Sequence, residues 1–334
     1  MGEPPLSLHG LSHVDARAQE FWRLPPDLIA SLPEPYERLG RRPAGGRVRF
    51  ATNATSFTVR LVLKTESVDP TMALPAAAGA DVYIGAGMGA RFVGQVAPRA
   101  YGYAGVPFEV SIVKGPGWET VTINLPRNEQ IESLEVDLPP SARLTVAPSY
   151  RHAAPIVFYG SSITEGAAAP RPGAAYTSTV ARWLDSDHLN YGFSGNAQGE
   201  QAVAAHIAAH DALTAFVLDY DHNAPTVEHL DLTHRPFFET VRAAHPDIPV
   251  LIMTRPEVDA DPEDSARRRD VAMETFLTAR ADGDRQVWFL DGHELFGTVG
   301  REECTIDRLH PTSLGFHRMA VRVHAVLKRA LNLN

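Results

Sequence analysis

Between about Gly46 and Val146 the chain alternates apolar and polar residues in short runs broken by turn residues. Examples are Arg47-Val48-Arg49-Phe50, Phe57-Thr58-Val59-Arg60-Leu61-Val62-Leu63, Asp81-Val82-Tyr83-Ile84, Phe108-Glu109-Val110-Ser111-Ile112-Val113 and Glu119-Thr120-Val121-Thr122-Ile123-Asn124-Leu125. Successive side chains of a strand point to opposite faces, so a period of two at this spacing predicts a mainly antiparallel β-sandwich. The first 45 residues carry Pro-rich punctuation and no lasting period. They are expected to be irregular, with room for one short helix or edge strand.

Past Ala147-Pro148-Ser149-Tyr150 the pattern changes. Apolar runs at 156–159, 188–193, 213–219, 249–253 and 286–290 predict buried parallel strands. Helical windows lie between them near 175–185, 199–209, 226–244 and 262–282, with a last one near 312–331. Strands alternating with helices predict a three-layer, doubly wound α/β sheet. The expected division is a sandwich over 1–148 and an α/β domain over 149–334. In such sheets functional groups gather at the carboxyl ends of the strands.

Composition narrows the function classes. Hydrophobic content of 44% and charged content of 21% are those of a globular chain that can bury a sizeable core. A net charge of −9 argues against non-specific nucleic-acid binding and against docking on an anionic membrane. No apolar run of about 18 residues is present, so no transmembrane helix is expected. Met1-Gly2-Glu3-Pro4-Pro5-Leu6 shows neither a basic segment nor a following apolar stretch, which predicts no secretory leader. A single cysteine, Cys304, cannot form an intrachain disulfide and fits a cytoplasmic location.

Against this background one strand end carries chemistry. Ile156-Val157-Phe158-Tyr159 runs into the small-residue turn Gly160-Ser161-Ser162, and far downstream stands Asp307-Arg308-Leu309-His310-Pro311. A serine hydroxyl becomes a useful nucleophile only when a neighbouring base takes its proton and a third group orients that base. Serine, histidine and an aspartate three residues before it supply all three types. The G-x-S-x-G nucleophile elbow is absent, because neither Gly160-Ser161-Ser162-Ile163-Thr164 nor Gly192-Phe193-Ser194-Gly195-Asn196 satisfies it.

Four segments together resemble the SGNH (GDSL-type) hydrolase superfamily. The first block, G-D-S, corresponds to Gly160-Ser161-Ser162, with Ser161 in place of the usual aspartate. The glycine of the second falls on Gly195. The third, normally G-x-N-D, falls on Tyr220-Asp221-His222-Asn223, where only the asparagine survives. The fourth, D-x-x-H-P, is matched in full by Asp307 through Pro311. The resemblance implies Ser162 as nucleophile, His310 as base and Asp307 as its orienting carboxylate. It also implies an oxyanion hole from the Ser162 and Gly195 N–H groups and the Asn223 amide. Losing one such donor typically costs about 3–4 kcal/mol of transition-state stabilisation. Further upstream, Gly79-Ala80-Asp81-Val82-Tyr83 resembles the G-x-D-L-Y motif of the sandwich that precedes some SGNH domains. That resemblance implies an ancillary module whose loops wall the active site, although a plain structural strand fits the same residues.

Other signals point elsewhere. Gly85-Ala86-Gly87-Met88-Gly89 precedes a strand and not a helix, so a glycine-rich hairpin is expected where a phosphate loop would need a helix start. His206 and His210 have i, i+4 spacing but lack H-E-x-x-H and a third ligand, so no metal is expected. Asp259 through Asp264 reads as an acidic helix start. Asp219, Asp221 and His222 are expected to make local polar contacts. No cofactor is implied. The expected function is a serine esterase acting on short, plausibly acetyl, esters of a small molecule or carbohydrate. An acyltransferase passing the acyl group to an alcohol is the alternative, and a non-catalytic carbohydrate-binding protein is the third reading. Homo-oligomerisation stays open.

Overall fold

The computed structural model describes residues 3–333. In its N-terminal part a six-stranded antiparallel sheet runs in the order Ser7–His9, Arg47–Thr52, Glu119–Asn124, Ala80–Ile84, Arg91–Val96, with Leu144–Thr145 paired to Arg47–Thr52. A three-stranded antiparallel sheet, Ile131–Asp137, Ser56–Leu63 and Phe108–Val113, accompanies it. The alternation seen in the sequence sets the packing. Phe57, Val59, Leu61 and Leu63 are buried while the residues between them are only half-buried. They meet Val48, Phe50, Val121 and Ile123 in one apolar core. The Gly85–Gly89 segment is the connection between antiparallel Ala80–Ile84 and Arg91–Val96, as the hairpin reading expected.

The first 45 residues are more ordered than their sequence suggests. They form strands Ser7–His9, His13–Asp15 and Glu20–Trp22 and helices Pro26–Ser31 and Pro35–Gly40, each helix with proline in its first turn. Each element is at most six residues long, too short to display a period. Trp22, Leu24, Ile29, Tyr36 and Leu39 are buried, and they pack against the parallel sheet of the C-terminal part instead of the sandwich core.

That C-terminal sheet is parallel throughout, in the order Ser186–Gly192, His152–Gly160, Ala215–Asp219, Val250–Met253, Val287–Leu290. Strands buried on both faces need apolar side chains at every position. In His152–Gly160, Val157 and Tyr159 face one core while Ile156 and Phe158 face the other. Helices Gln201–Ala208, Val227–Ala244 and Pro262–Ala281 contribute Val203, Phe237 and Ala272 to the first core. Tyr176–Trp183 and Ser313–Ala330 contribute Val180 and Phe316 to the second. The order of the first three strands reverses direction at His152–Gly160, which makes its carboxyl end the topological switch point where open α/β sheets bind ligands.

Ser186–Gly192 is an edge strand, and its outward polar groups need partners. Two arginines from the N-terminal part supply them. Arg23 donates to the carbonyls of Asn190 (3.4 Å) and Gly192 (2.6 Å), and Arg47 donates to that of His188 at 3.1 Å. The edge is therefore closed by side chains instead of a further strand. The Asp81 and Tyr83 pair adds a second tie. Asp81 accepts hydrogen bonds from the Asn124 amide (2.7 Å) and the Gly173 N–H (3.0 Å), and Tyr83 donates to the Gly173 carbonyl at 3.4 Å. In this chain the G-x-D-L-Y-like motif thus clamps a turn of the C-terminal part.

Candidate active site

Three of the residues singled out in the sequence follow three neighbouring strands at their carboxyl ends. Ser162 stands two residues beyond Gly160, Gly195 three beyond Gly192, and Asn223 four beyond Asp219. Because the strand leading to Ser162 lies between the other two, Gly195 and Asn223 come from either side of the serine.

Ser162 opens the short helix Ser162–Glu165. The Ser161 Oγ caps that helix by accepting the Ile163 N–H at 3.2 Å. The serine that replaces aspartate in the first block therefore has a structural task, and the Ser162 hydroxyl is not used in capping. The helix is held from below by Asp219, whose carboxylate accepts from the Thr164 hydroxyl and the Tyr176 hydroxyl, both at 2.8 Å. Gly192 lets the neighbouring strand pass the helix backbone. A Cβ there would stand 2.1 Å from the Glu165 nitrogen.

The partner loop arrives from residues 304–312. Ile306 N–H donates to the His310 carbonyl (3.0 Å) and Thr312 N–H to that of Cys304 (2.8 Å), closing a tight loop around Asp307 to His310. Arg308 takes the left-handed conformation (φ +66°) at the turn of that loop. The following helix, Ser313–Ala330, is capped by Thr312, so neither Asp307 nor His310 serves as its cap. Within the loop Asp307 Oδ1 accepts the N–H groups of Leu309 (3.0 Å) and His310 (2.7 Å), while Oδ2 lies 2.7 Å from His310 Nδ1. Burial pushes the Asp307 carboxyl up, but the hydrogen bonds from the His310 ring and backbone outweigh it and hold the group below the usual carboxylate range. An ionised carboxylate only accepts, so the proton sits on Nδ1 and Nε2 is left as an acceptor. His310 Nε2 lies 3.0 Å from Ser162 Oγ, across 148 residues of sequence. A hydroxyl so placed can pass its proton to the ring as it attacks a carbonyl.

Charge developing on that carbonyl needs donors. Among the described residues neither the Ser162 nor the Gly195 N–H has a hydrogen-bond partner. Gly195 has φ +71°, a conformation that favours glycine, and a Cβ there would meet no protein atom within 4 Å. Backbone conformation, more than crowding by the protein, is what asks for glycine. The Asn223 amide donates one hydrogen to the Phe193 carbonyl at 2.9 Å, which ties it to the Gly195 loop and leaves its second hydrogen uncommitted.

The Gly195 loop has a second support that the sequence did not disclose. Glu165 is fully buried and paired with Arg23 (2.7 Å) and Arg127 (3.1 Å), both from the N-terminal part. Ser194 donates its hydroxyl to the same carboxylate and accepts from Arg127 at 2.8 Å. Burial raises the Glu165 pKa, yet Arg127, Arg23 and Arg42 together bring it down to about 2. Long-range ion pairs of this kind leave no local spacing to read.

The remaining candidates have quieter surroundings. Burial holds Asp221 up at about 6, and its carboxylate accepts the Arg255 N–H at 3.1 Å. Burial, with Arg255 and Arg268 nearby, keeps His222 well below its ordinary pKa and therefore neutral. Cys304 is buried, its thiol pushed up by burial, and its Sγ lies by the Gly300 carbonyl (3.6 Å) and accepts from Arg318 at 3.4 Å. His206 contacts the Tyr191 hydroxyl at 3.1 Å. Asp261 caps helix Pro262–Ala281, as an acidic helix start would.

Asp219 makes a pH prediction. Burial, reinforced by Asp221, raises its carboxyl from 3.8 to about 7. The folded protein then keeps a proton that the unfolded chain releases above 3.8. The resulting stabilisation is complete at low pH and disappears as pH rises through about 7. Asp219→Asn cannot lose that proton. Relative to the wild type its melting temperature is expected to rise between pH 5.5 and 8.5 by an amount worth about 2 kcal/mol, the part of the stabilisation the wild type loses between pH 5.5 and about 7. Melting curves of both proteins at the two pH values check this, and a pH-independent difference would count against it.

Comparison with known proteins gives a consistent picture. Residues 153–328 match the GDSL-like lipase/acylhydrolase family, and residues 5–144 match the GxDLY N-terminus of SGNH hydrolase-type esterases. No curated protein sequence matches. Among solved structures, a GDSL-like lipase from Bacteroides ovatus ATCC 8483 superposes with a TM-score of 0.85 at 26% identity, covering 98% of this chain and 96% of that one. A salicylyl-acyltransferase from a tetracycline biosynthetic pathway gives 0.81 at 20% identity, covering 100% and 97%. A family two carbohydrate esterase from Clostridium thermocellum, in complex with cellohexaose, gives 0.63 at 16% identity, covering 86% and 93%. The last two speak for the shared fold.

Proposed function

Because the chain belongs to the GDSL-like lipase/acylhydrolase family and is a serine hydrolase, we propose that it cleaves short acyl esters, with acetyl esters of carbohydrates as the foremost class. The observation that carries this reading is the continuous path Ser162 Oγ, His310 Nε2, His310 Nδ1, Asp307 Oδ2, with steps of 3.0 and 2.7 Å at its two ends.

Ser162 Oγ attacks the ester carbonyl while its proton moves to His310 Nε2. The ring becomes an imidazolium, and Asp307 stabilises it without taking the proton. The tetrahedral oxyanion is received by the Ser162 and Gly195 N–H groups and the free hydrogen of the Asn223 amide. Its collapse breaks the C–O bond to the alcohol, which leaves with the proton from His310. Water then repeats the sequence on the acyl-enzyme, with His310 first taking its proton and then returning one to Ser162. The carboxylic acid is released and the serine is restored.

An alcohol in place of water would turn the same intermediate into a transfer reaction. The N-terminal part, through Arg127 and the Asp81 clamp, supports the loops around this site, which suits an ancillary role for residues 1–148. A graded panel of p-nitrophenyl esters, from acetyl to octanoyl, is expected to give kcat/KM falling at least tenfold beyond butyryl. Acetylated oligosaccharides should release acetate. A rate that rises with chain length would replace the short-acyl reading with a lipase. Acyl products on added alcohols at the expense of free acid would favour transfer.

A further inference from the structure

At the amino-terminal end of the parallel sheet, opposite Ser162, a small cleft opens between the sandwich and the C-terminal part. Its walls include Arg47 and Arg49 from the strand Arg47–Thr52, Arg182 from the helix Tyr176–Trp183, and His188 from the edge strand. His188 lies four residues before Gly192, so the cleft stands about 13 Å from the oxyanion side of the sheet, measured along that strand.

The three arginines differ in what they already hold. Arg47 is saturated, with Asp187, the Gly45 and His188 carbonyls, the Tyr150 hydroxyl (3.2 Å) and His188 Nε2 (3.1 Å) around its guanidinium. Arg182 donates to Gly173 and Thr179 and lies over the Tyr83 ring, without a carboxylate partner among the described residues. Arg49 has nothing comparable. It is 3% exposed, its Nε has no partner, and among the described residues its side chain forms no hydrogen bond or ion pair. Its one contact of note is a stack on the Tyr150 ring at 3.7 Å. A buried cation without an anion is costly, and folded proteins rarely leave one uncompensated.

His188 repeats the pattern. Its Nε2 faces an Arg47 N–H and must accept, so a neutral ring carries its proton on Nδ1. That Nδ1 is buried and, among the described residues, has no partner. Burial and Arg47 keep the ring neutral. Among the described residues the cleft is therefore lined by an arginine without a counter-charge and by a buried imidazole whose Nδ1–H has no partner. Asp185 is the acidic side chain in its walls, and one of its oxygens already accepts the Arg151 N–H at 3.3 Å.

We propose that this cleft binds a tetrahedral oxyanion, a phosphate or sulfate group either free or carried on a small molecule. Donors on facing walls suit an anion with acceptors in several directions better than a planar carboxylate. Arg49 supplies the charge, His188 Nδ1–H a directed hydrogen bond, and Arg182 a second positive charge nearby. The bound anion would bridge the sandwich and the C-terminal part.

Titration calorimetry on the full chain, with sodium phosphate and sodium sulfate against sodium chloride at matched ionic strength, tests the proposal. Saturable binding of one phosphate or sulfate per chain is expected, with a melting temperature that climbs as the anion is added. Arg49→Gln should weaken that binding at least tenfold. Ser178→Asp, which places a carboxylate in the same cleft, should do the same by occupying the cationic groups, and it decides the matter if Arg49→Gln fails to fold. Glucose 6-phosphate binding more tightly than inorganic phosphate would assign the anion to a small molecule, and the reverse order to a free ion. Absence of saturable binding by either anion, or binding undiminished in both variants, would overturn the site.

Discussion

Ser162→Ala is expected to leave a folded protein whose ester turnover is lower by roughly 10⁴–10⁶-fold, the range seen when a serine nucleophile is removed from a working triad. The fold should survive because Ser161, and not Ser162, caps the short helix, and because Ser162 Oγ has His310 as its recorded partner. A half-buried hydroxyl at a strand end is also reachable by reagents. A fluorophosphonate probe should add one phosphonyl group to the wild type and none to Ser162→Ala, read by intact mass. Removing His310 as well should cost little more, since the two residues act as one unit and their losses do not add. Additive losses in the double variant, or an undiminished adduct on Ser162→Ala, would require a different nucleophile.

Much of this arrangement was legible because it depends on local pattern. The parallel strands announced themselves as apolar runs, and the long helices came within a residue or two of their windows at 227–244, 262–281 and 313–330. The Asp307–His310 pairing is a within-loop contact, so its three-residue spacing carried the information. What stayed hidden depends on contacts between distant segments. Arg47-Val48-Arg49-Phe50 reads as a strand with one solvated face, yet all six residues of Arg47–Thr52 are buried. Its apolar side faces the sandwich core and its arginines face the C-terminal part. Period-two patterning reports which side is polar but not whether water or another domain covers it. The short elements before residue 45 were hidden for a related reason. The two helices are held by packing onto the parallel sheet and Ser7–His9 by pairing with Arg47–Thr52, and pieces of three to six residues have no period of their own.

The largest stability effect is expected from that hidden class of contact. Glu165→Ala removes a carboxylate with no solvent exposure that neutralises Arg23 and Arg127. Arg23 would remain fully buried and keep its carbonyl partners at Leu39, Asn190 and Gly192, but lose the one counter-charge it has among the described residues. Breaking a buried pair from one side typically costs about 3–5 kcal/mol, because the surviving charge is stranded. Here two arginines are affected, and Arg127 retains Asp69 at 3.2 Å as partial compensation. The loss should therefore lie within that range, lowering the melting temperature by roughly 4–7 °C for a chain of this size. Activity should suffer separately. Ser194 would lose the carboxylate that anchors it beside Gly195, and misplacing a catalytic loop by about 1 Å can cost on the order of 10²-fold. Measured well below the melting transition, kcat on p-nitrophenyl acetate should fall by about 10- to 100-fold. Glu165→Gln, which keeps the shape and one acceptor, should lose stability but less activity than Glu165→Ala. Equal kcat in Glu165→Ala and wild type would mean that the Gly195 loop holds its position without this buried charge.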